Sequence, residues 1–349
     1  MKKKSLSAKK IIHSKLIKHL KDPKINNIFR VFNNNLKFIN EKNTAVAVSG
    51  GPDSLALTFL FKCLNIKNKK KGYFYTVDHK LRKNSSNEAK TIKKLLKNYD
   101  IDCKILIWRG KKPNSNLQSI ARNKRYSLIH NQCIKDKVES LITGHHIGDL
   151  YENFFIRMLR GSGLDGFVSF NSIKNKLKND IYILRPLINI QKEDLIYISK
   201  KIFGFYLEDP SNKKDEFKRS RLRKIINNLK KEGLDHQKLN LTINNLSSSN
   251  KAINYYVNKN ISENSKILKK STYILSQKFL DNPTDVLIRS FSKVLKLVGE
   301  NYYPPRGKSL IYLINLIKSK NFNKMTLSGC VIEKISKSLL IYKEKRQKT

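Results

Sequence analysis

The stretch that most constrains the fold is AVAVSGGPDS, residues 45–54. A short apolar, β-branched run ends in Ser-Gly-Gly-x-Asp-Ser, and the helix-like run LALTFLFKCL follows. This order predicts a strand, a tight loop and the start of a helix. Gly50 and Gly51 let the backbone turn sharply, and the loop N–H groups can then point at an anion, helped by the helix dipole. The pattern indicates a phosphate-binding loop.

The loop sequence resembles the PP-loop of the N-type ATP pyrophosphatases, which cleave ATP between its α- and β-phosphates. The ordinary alternative is a glycine turn between a strand and a helix. A Walker A loop is not indicated, because the only Gly-Lys-Ser, residues 307–309, has Tyr302 where the upstream glycine should be. We interpret that RGKS as a basic turn before the helix LIYLINLIKS.

From Thr44 onwards, strand and helix patterns alternate at roughly the 30-residue interval of a βαβ unit. The alternation predicts an α/β fold of the PP-loop or Rossmann-like kind, a parallel sheet with helices on both faces. Ligands bind outside the carboxyl ends of such strands. The predicted strands are residues 44–49, 72–79, 103–108 and 140–146, and the predicted helices are residues 55–64, 87–99 and 117–132.

The chain is strongly basic, with 72 Lys and Arg against 27 Asp and Glu, a formal net charge of +45. This charge favours a polyanionic partner, nucleic acid before an anionic membrane surface. Compositional drift towards Lys, Asn and Ile is an alternative source of the charge. The first 20 residues predict either a basic amphipathic helix or a frayed tail.

Three regions are expected: a basic N-terminal extension and leading helix (1–40), a catalytic domain (41–224), and a basic, mainly helical region ending in short strands (225–349). The four cysteines are widely separated and no C-x-x-C occurs, so we expect reduced, buried thiols in a cytoplasmic protein. No apolar stretch approaches the ~20 residues that span a bilayer, so we expect no membrane partner. The sequence is compatible with a homodimer and does not determine the oligomeric state.

Further motifs follow the predicted strands. VDHKLR (77–82) puts a carboxylate at a strand end, and ARNKRY (121–126) puts Arg122, Arg125 and Tyr126 on one helix face. In GHHIGDLYENFFIRMLRGSGLDG (144–166), Asp149 and Glu152 share a helix face and could hold a metal or an ammonium group. The alternative is ordinary acidic charge at a helix N-terminus. RPLI (185–188), EDPSN (208–212) and RSRLR (219–223) come next.

Taken together, this ordered set resembles the tRNA(Ile)-lysidine synthetase family. The resemblance runs from about residue 44 to residue 223, and YPPRGKS (303–309) and the final LSGC are similar to the C-terminal part of that family. It implies a two-step, ATP-dependent reaction on tRNA(Ile) with a CAU anticodon. The wobble cytidine is adenylated at O2, and free L-lysine then attacks C2 and expels AMP, which changes codon reading from AUG to AUA.

The resemblance also implies roles for individual residues. Asp78 and Arg122 belong to the nucleotide pocket, and Asp149 and Glu152 handle the lysine amine. His145, Arg157 and Arg160 line the tRNA side. Asp53 is the expected Mg²⁺ ligand. The loop residues that would bind the pyrophosphate end of ATP are Ser49, Gly50, Gly51, Pro52, Asp53 and Ser54.

The chain departs from the family pattern at three places. Leu150-Tyr151-Glu152-Asn153 stands where the family usually has Gln-Ala-Glu-Thr. Gly148 stands where the family usually has the first of two acidic residues, and Asn123 stands where an acidic residue is frequent. The loss at Gly148 puts the lysine transfer in question, although Asp149 and Glu152 remain.

Two other interpretations stay open. One is another PP-loop enzyme that modifies tRNA, such as a thiolase, although the paired cysteines typical of sulfur transfer to cytidine are missing. The other is a non-catalytic, basic RNA-binding protein that keeps a relic ATP fold.

Overall fold

The computed structural model divides into two compact units, Met1–Asn240 and Leu241–Thr349. The C-terminal region was predicted to begin at residue 225, and residues 225–240 lie in the first unit. The roles given to the predicted regions stay predictions. The structure describes residues 2–37, 43–81, 84–110, 117–176, 181–208, 218–269, 271–301, 304–319 and 322–344.

A six-stranded sheet in the order β3-β2-β1-β4-β6-β5 forms the centre of the first unit, as far as the described residues show. All of its pairings are parallel except that of β5 with β6, which is antiparallel. The predicted parallel sheet is therefore confirmed, with one antiparallel edge strand added. The strands are β1 (Thr44–Val48), β2 (Tyr73–Asp78), β3 (Cys103–Ile107), β4 (Ser140–Ile142), β5 (Lys174–Lys176) and β6 (Tyr182–Leu184).

Helices cover both faces of this sheet because the side chains of each strand alternate between two apolar clusters. Val46 and Val48 of β1 pack into one cluster with the helices α1 to α4 and α8, whereas Ala45 and Ala47 face a second cluster that includes Ile129 of α5. The helices of this unit are α1 (Lys2–Lys18), α2 (Pro23–Leu36), α3 (Pro52–Asn68), α4 (Ser85–Lys97), α5 (Leu117–Lys135), α6 (Ile147–Met158), α7 (Leu164–Val168), α8 (Lys192–Phe203) and α9 (Lys218–Lys231).

The N-terminal extension forms the helix α1, one of the two forms that the sequence left open. Leu16 and Leu20 are buried in the core, and Cys63 of α3 donates to the Leu16 carbonyl. Asp100 holds α1 from the other side, because His13 Nε2 lies 2.8 Å and Lys9 Nζ 3.4 Å from its carboxylate. The helix is therefore a packed part of the first unit.

The second unit has its own core around an antiparallel sheet. Phe291, Leu313 and Ile332 are among its buried residues. The sequence predicted two short strands at the chain end, and the structure has three there plus a hairpin before them, in the order β7-β8-β11-β10-β9. Its elements are α10 (His236–Asn264, which begins in the first unit), β7 (Ser265–Lys269), β8 (Thr272–Leu275), α11 (Gln277–Leu280), α12 (Thr284–Val298), α13 (Gly307–Lys318), β9 (Lys324–Leu327), β10 (Cys330–Ile335) and β11 (Ser338–Lys343).

All four cysteines are buried and free, as expected. Burial raises the pKa of the thiols of Cys63, Cys103 and Cys133 to about 12 and that of Cys330 to about 11. Such thiols stay protonated and unreactive near neutral pH. None of the described helices is both long enough and apolar enough to cross a membrane.

Candidate active site

The glycine loop lies between β1 and α3, at the carboxyl edge of the sheet. Gly50 has a φ of +84°, which favours glycine, and a Cβ at this position would lie 2.7 Å from Leu207 and 2.8 Å from Ile92. The Leu207 N–H donates to the Gly50 carbonyl at 2.9 Å. The chain after α8 and the helix α4 therefore hold the loop in its turn.

The two loop serines bond to each other. The N–H and the hydroxyl of Ser49 both donate to Ser54 Oγ at 3.1 Å, and Ser54 Oγ donates to the Gly51 carbonyl at 2.9 Å. Both hydroxyl protons are thus used within the loop. The donors that remain for an anion in the first turn of α3 are the N–H groups of Asp53 and Ser54, because Pro52 has no N–H and the Leu55 N–H donates to the Gly51 carbonyl at 3.0 Å.

Asp53 lies in the first turn of α3, and its Oδ2 lies 3.9 Å from Nε2 of His146, which follows β4 in the chain. Burial raises the pKa of this carboxyl, and the Lys192 ammonium, 3.8 Å from Oδ2, opposes the rise. Its Oδ1 is buried and has no hydrogen-bond partner among the described residues. A carboxylate oxygen left in this way beside a phosphate loop fits the Mg²⁺ ion expected with ATP.

The described residues contain no cluster of three or more His, Cys, Asp or Glu that could hold a metal. This agrees with the way Mg²⁺ is usually bound, through one or two carboxylates together with substrate phosphates and water. The role of Asp53 as a Mg²⁺ ligand stays a prediction.

The N-terminus of α6 follows β4 and lies beside the loop. The His146 N–H donates to Asp149 Oδ2 at 3.0 Å, and the Gly148 N–H donates to His146 Nδ1 at 3.0 Å. His146 Nε2 lies 3.6 Å from Asp149 Oδ2 and 3.9 Å from Asp53 Oδ2. One imidazole therefore bridges the phosphate loop and the acidic face of α6.

Glu152, one turn after Asp149, is buried and paired. Arg223 Nε of α9 donates to Glu152 Oε1 at 2.5 Å. The motif RSRLR thus contributes a charge partner for one of the two predicted lysine-handling carboxylates. The EDPSN motif from residue 209 onwards and Arg82 of VDHKLR lie outside the described residues.

Asp78, at the end of β2, is bound by Lys80 and by the first turn of α4. Ser85 and Ser86 donate to its carboxylate at 2.7 Å and 2.6 Å, and the Lys80 N–H donates at 3.0 Å. Burial would raise the pKa of Asp78, but these hydrogen bonds outweigh it, so the pKa lies below its ordinary value. The ionised carboxylate thus links the end of β2 to the start of α4, and a direct contact with ATP stays a prediction.

Arg122 is exposed on α5, where its guanidinium lies 5.1 Å from the centre of the Tyr126 ring. On the same helix, Arg125 Nε donates to His79 Nε2 at 3.1 Å. These contacts join ARNKRY to the end of β2, which brings two predicted motifs together.

A group of three side chains follows β4 and β6. His145 packs edge-on to Phe170, with ring centres 5.1 Å apart, and the Arg185 guanidinium lies 4.5 Å from the same ring. Burial lowers the pKa of Arg185, and the negative charge of Asp149 opposes this. Arg157 and the exposed Arg160 lie at the end of α6 and in the turn after it, where the Ser162 N–H donates to the Arg157 carbonyl.

Sequence reasoning missed four residues of this site: His146, Arg185, Lys192 and Arg223. His146 stood in the HH pair of a recognised motif, and Arg185 and Arg223 stood in RPLI and RSRLR, so a signal existed for each. Lys192 had none, because it reaches Asp53 only through the packing of α8 against α3, where Ser199 Oγ donates to the Pro52 carbonyl.

The parallel sheet, the SGGPDS loop and the polar groups at the carboxyl edge define the PP-loop class of nucleotide-binding domains. A family model described as a PP-loop domain matches residues 21–229. A relative named tRNA(Ile)-lysidine synthase from Orientia tsutsugamushi is 35% identical over 314 residues, covering 86% of this chain and 69% of the relative. One of the same name from Wolbachia pipientis is 31% identical over 322 residues, covering 91% and 74%.

The chain belongs to the tRNA(Ile)-lysidine synthase family, a family of ligases. Among solved structures, the U34-tRNA thiolase NcsA from Methanococcus maripaludis is similar, with a TM-score of 0.53, 20% identity, and coverage of 62% of this chain and 76% of that one. At this identity the likeness concerns the fold alone. The predicted family and fold class are thereby confirmed. The helix α1 lies before the range that the family model matches.

Proposed function

We propose that this protein uses ATP to join lysine to C2 of the wobble cytidine of tRNA(Ile) with a CAU anticodon. Family membership supports the reaction class, and the arrangement at the carboxyl edge supports the chemistry. The observation that carries the proposal is the His146 ring, within 3.9 Å of Asp53 and 3.6 Å of Asp149. Through it, a phosphate loop and a pair of acidic side chains belong to one site.

In the first step, O2 of the cytidine attacks the α-phosphorus of ATP, and the bond to the β-phosphate oxygen breaks to release pyrophosphate. The N–H groups at the start of α3 and the Lys192 ammonium stabilise the charge on the leaving group. Mg²⁺, held by Asp53, would neutralise phosphate charge when bound. ATP is already activated, so the protein contributes mainly positioning and electrostatics.

In the second step, the ε-amine of lysine attacks C2, and AMP leaves with the electrons of the C2–O bond. The amine must be neutral, although its ordinary pKa is about 10.4. Asp149 and Glu152 orient the ammonium and accept its proton, and exclusion of water in the closed site lowers the cost of this transfer. The loss of a carboxylate at Gly148 leaves both of these groups in place.

The basic surface supports tRNA as the partner. A net charge of +45 attracts the phosphates of any RNA, and the exposed Arg122–Tyr126 pair offers a cation and a ring on which a splayed base can stack. The buried cysteines, with their raised pKa, favour lysine ligation over sulfur transfer by a protein thiolate.

The test is a reaction with ATP, lysine and a CAU-anticodon tRNA transcript. Spent nucleotide should be AMP with pyrophosphate, and nuclease fragments should gain the mass of one lysine residue at the wobble cytidine. A transcript with that cytidine replaced by uridine is the control. ADP as the main product would contradict the PP-loop chemistry, and added sulfur or no added mass would contradict lysidine formation.

A further inference from the structure

The His146 ring folds back over Gly148, the position at which the chain departs from its family pattern. A Cβ on residue 148 would lie 2.7 Å from His146 Cε1 and 3.1 Å from Nδ1, closer than real Cβ contacts. The backbone of Gly148 has no positive φ, so an L-residue could adopt it. Space for the ring, and not backbone conformation, is therefore what glycine provides here.

The ring is fixed in one tautomer. Its Nδ1 accepts the Gly148 N–H at 3.0 Å, so a neutral imidazole carries its proton on Nε2. Nε2 faces Asp53 Oδ2 and Asp149 Oδ2, at 3.9 Å and 3.6 Å. The side chain is 7% exposed, and it caps α6. These two distances are contacts and not hydrogen bonds, and they place the ring between the two carboxylates.

We propose that His146 is a positioning residue, which fixes Asp53 of the nucleotide loop relative to Asp149 of α6, and that it requires glycine at position 148. The inference deepens the proposed function, on which the roles of the two carboxylates rest. It explains how the site keeps its geometry without an acidic side chain at 148: the ring occupies that space and links the remaining carboxylates.

The first test follows the ring nitrogens by ¹⁵N NMR of the full-length protein. His146→Asn identifies the signal among the seven histidines, and asparagine is itself a good N-cap, so the fold should survive. The wild type should show a protonated Nε2 and an accepting Nδ1. Gly148→Ala should abolish this preference, because the ring edge can rotate away. An unchanged tautomer in Gly148→Ala would overturn the inference.

The second test is a double-mutant cycle on ATP affinity and on the two half-reactions. Gly148→Ala and Gly148→Asp should each weaken ATP binding or slow the half-reactions roughly 10- to 100-fold, as the loss of an orienting partner does. In the His146→Asn background, the same changes should add less than about 2-fold, because the ring is already gone. Gly163→Ala is the matched control, since a Cβ there meets nothing within 4 Å.

The outcomes separate this inference from the proposed function. Higher activity in Gly148→Asp, or equal losses with and without His146, would overturn the positioning role. The protein could fail to transfer lysine and still show a proton on His146 Nε2 and the expected coupling between positions 146 and 148 in ATP affinity. That result would support the positioning role and contradict only the proposed reaction.

Discussion

Arg223 Nε on α9 donates to Glu152 Oε1 on α6 at 2.5 Å, across 71 residues of chain. The carboxylate is buried, whereas the guanidinium is 38% exposed. The pair joins the last helix before α10 to the acidic face of the site. It also means that a lysine ammonium approaching Glu152 meets a cation already there.

Replacing Arg223 with alanine should leave the buried Glu152 carboxylate without this partner. We expect the variant to lose about 1.5–3 kcal/mol of unfolding free energy, the usual worth of a hydrogen bond to a charged group. Urea denaturation measures this loss. Asn227→Ala, an exposed change on the same helix, should cost far less. Equal stability of both variants would show that the pair does not hold α9.

Asp149→Asn keeps the size of the side chain, and its amide oxygen can still accept the His146 N–H. If Asp149 handles the lysine amine, adenylation should persist and lysine transfer should fall about 10²- to 10⁴-fold. Adenylated tRNA should then accumulate, as mass spectrometry of nuclease fragments would reveal. Glu193→Gln, an exposed change at the start of α8, is the control. Loss of adenylation first would assign Asp149 to ATP or Mg²⁺ instead.

Glu152→Gln removes the charge that faces Arg223 as well as the one predicted to face lysine. The loss of transfer should therefore come with a loss of stability, which Asp149→Asn should not share. Comparing urea midpoints with transfer rates for the two variants distinguishes the roles. A Glu152→Gln protein with normal stability and normal lysine transfer would contradict both predicted roles of Glu152, the pairing with Arg223 and the handling of lysine.

Asp53→Asn should abolish adenylation and leave tRNA affinity nearly intact, because the loop addresses the nucleotide. Burial raises the pKa of Asp53 above its ordinary value. The carboxylate form is therefore lost at a higher pH than for an exposed Asp, and adenylation should decline early on the acid side. Pyrophosphate exchange against pH, beside filter binding of tRNA, measures both. If Asp53→Asn reduced tRNA affinity as much as it reduced adenylation, nucleotide binding by the loop and tRNA binding would not be separate functions.

Binding of tRNA should weaken steeply with salt, since the log–log slope falls by about 0.7–0.9 per phosphate neutralised. Removing α1 would also disturb the core, because Leu16 of this helix is buried there. Lys10→Glu and Lys18→Glu change only exposed positions of that helix. They should reduce the slope if α1 touches tRNA. Lys90→Glu on α4 controls for net charge, and an equal effect there would mean that α1 makes no specific contact.

The pairing of Asp100 with Lys62 of α3 and with His13 of α1 should make stability depend on pH. Burial alone would raise the pKa of Asp100, but hydrogen bonds from Lys62 and His13 lower it from 3.8 to about 2. The ionised Asp100 therefore adds about 1–2 kcal/mol to the free energy of unfolding. This stabilisation is complete above pH 3.8 and is lost as the pH falls towards 2. The difference in free energy of unfolding between the wild type and Asp100→Asn should become smaller as the pH falls from 3.8 towards 2. The exposed Asp102→Asn should show no such difference.

The sequence predicted the first four strands because each contains apolar residues that the core buries, although β4 ends at Ile142 and not at residue 146. It predicted three of the helices between them because their apolar residues recur at the helical period. It missed β5 and β6, because β5 reads Lys-Asn-Lys, has no apolar residue and takes its conformation from pairing with β6. The site residues that were predicted are those that belong to short continuous motifs in the sequence. Lys192 and Arg223 were not predicted as site residues, because only the tertiary packing brings them to Asp53 and Glu152.

Gly50 and Gly148 face mutation in different ways. At Gly50, a new side chain meets two obstacles, a positive φ and walls formed by Leu207 and Ile92. At Gly148, it meets only the far edge of one rotatable ring. Substitution at position 50 should therefore be rejected whatever the new side chain. At position 148, a side chain can enter only if the His146 ring moves aside, so positions 146 and 148 should change together among relatives.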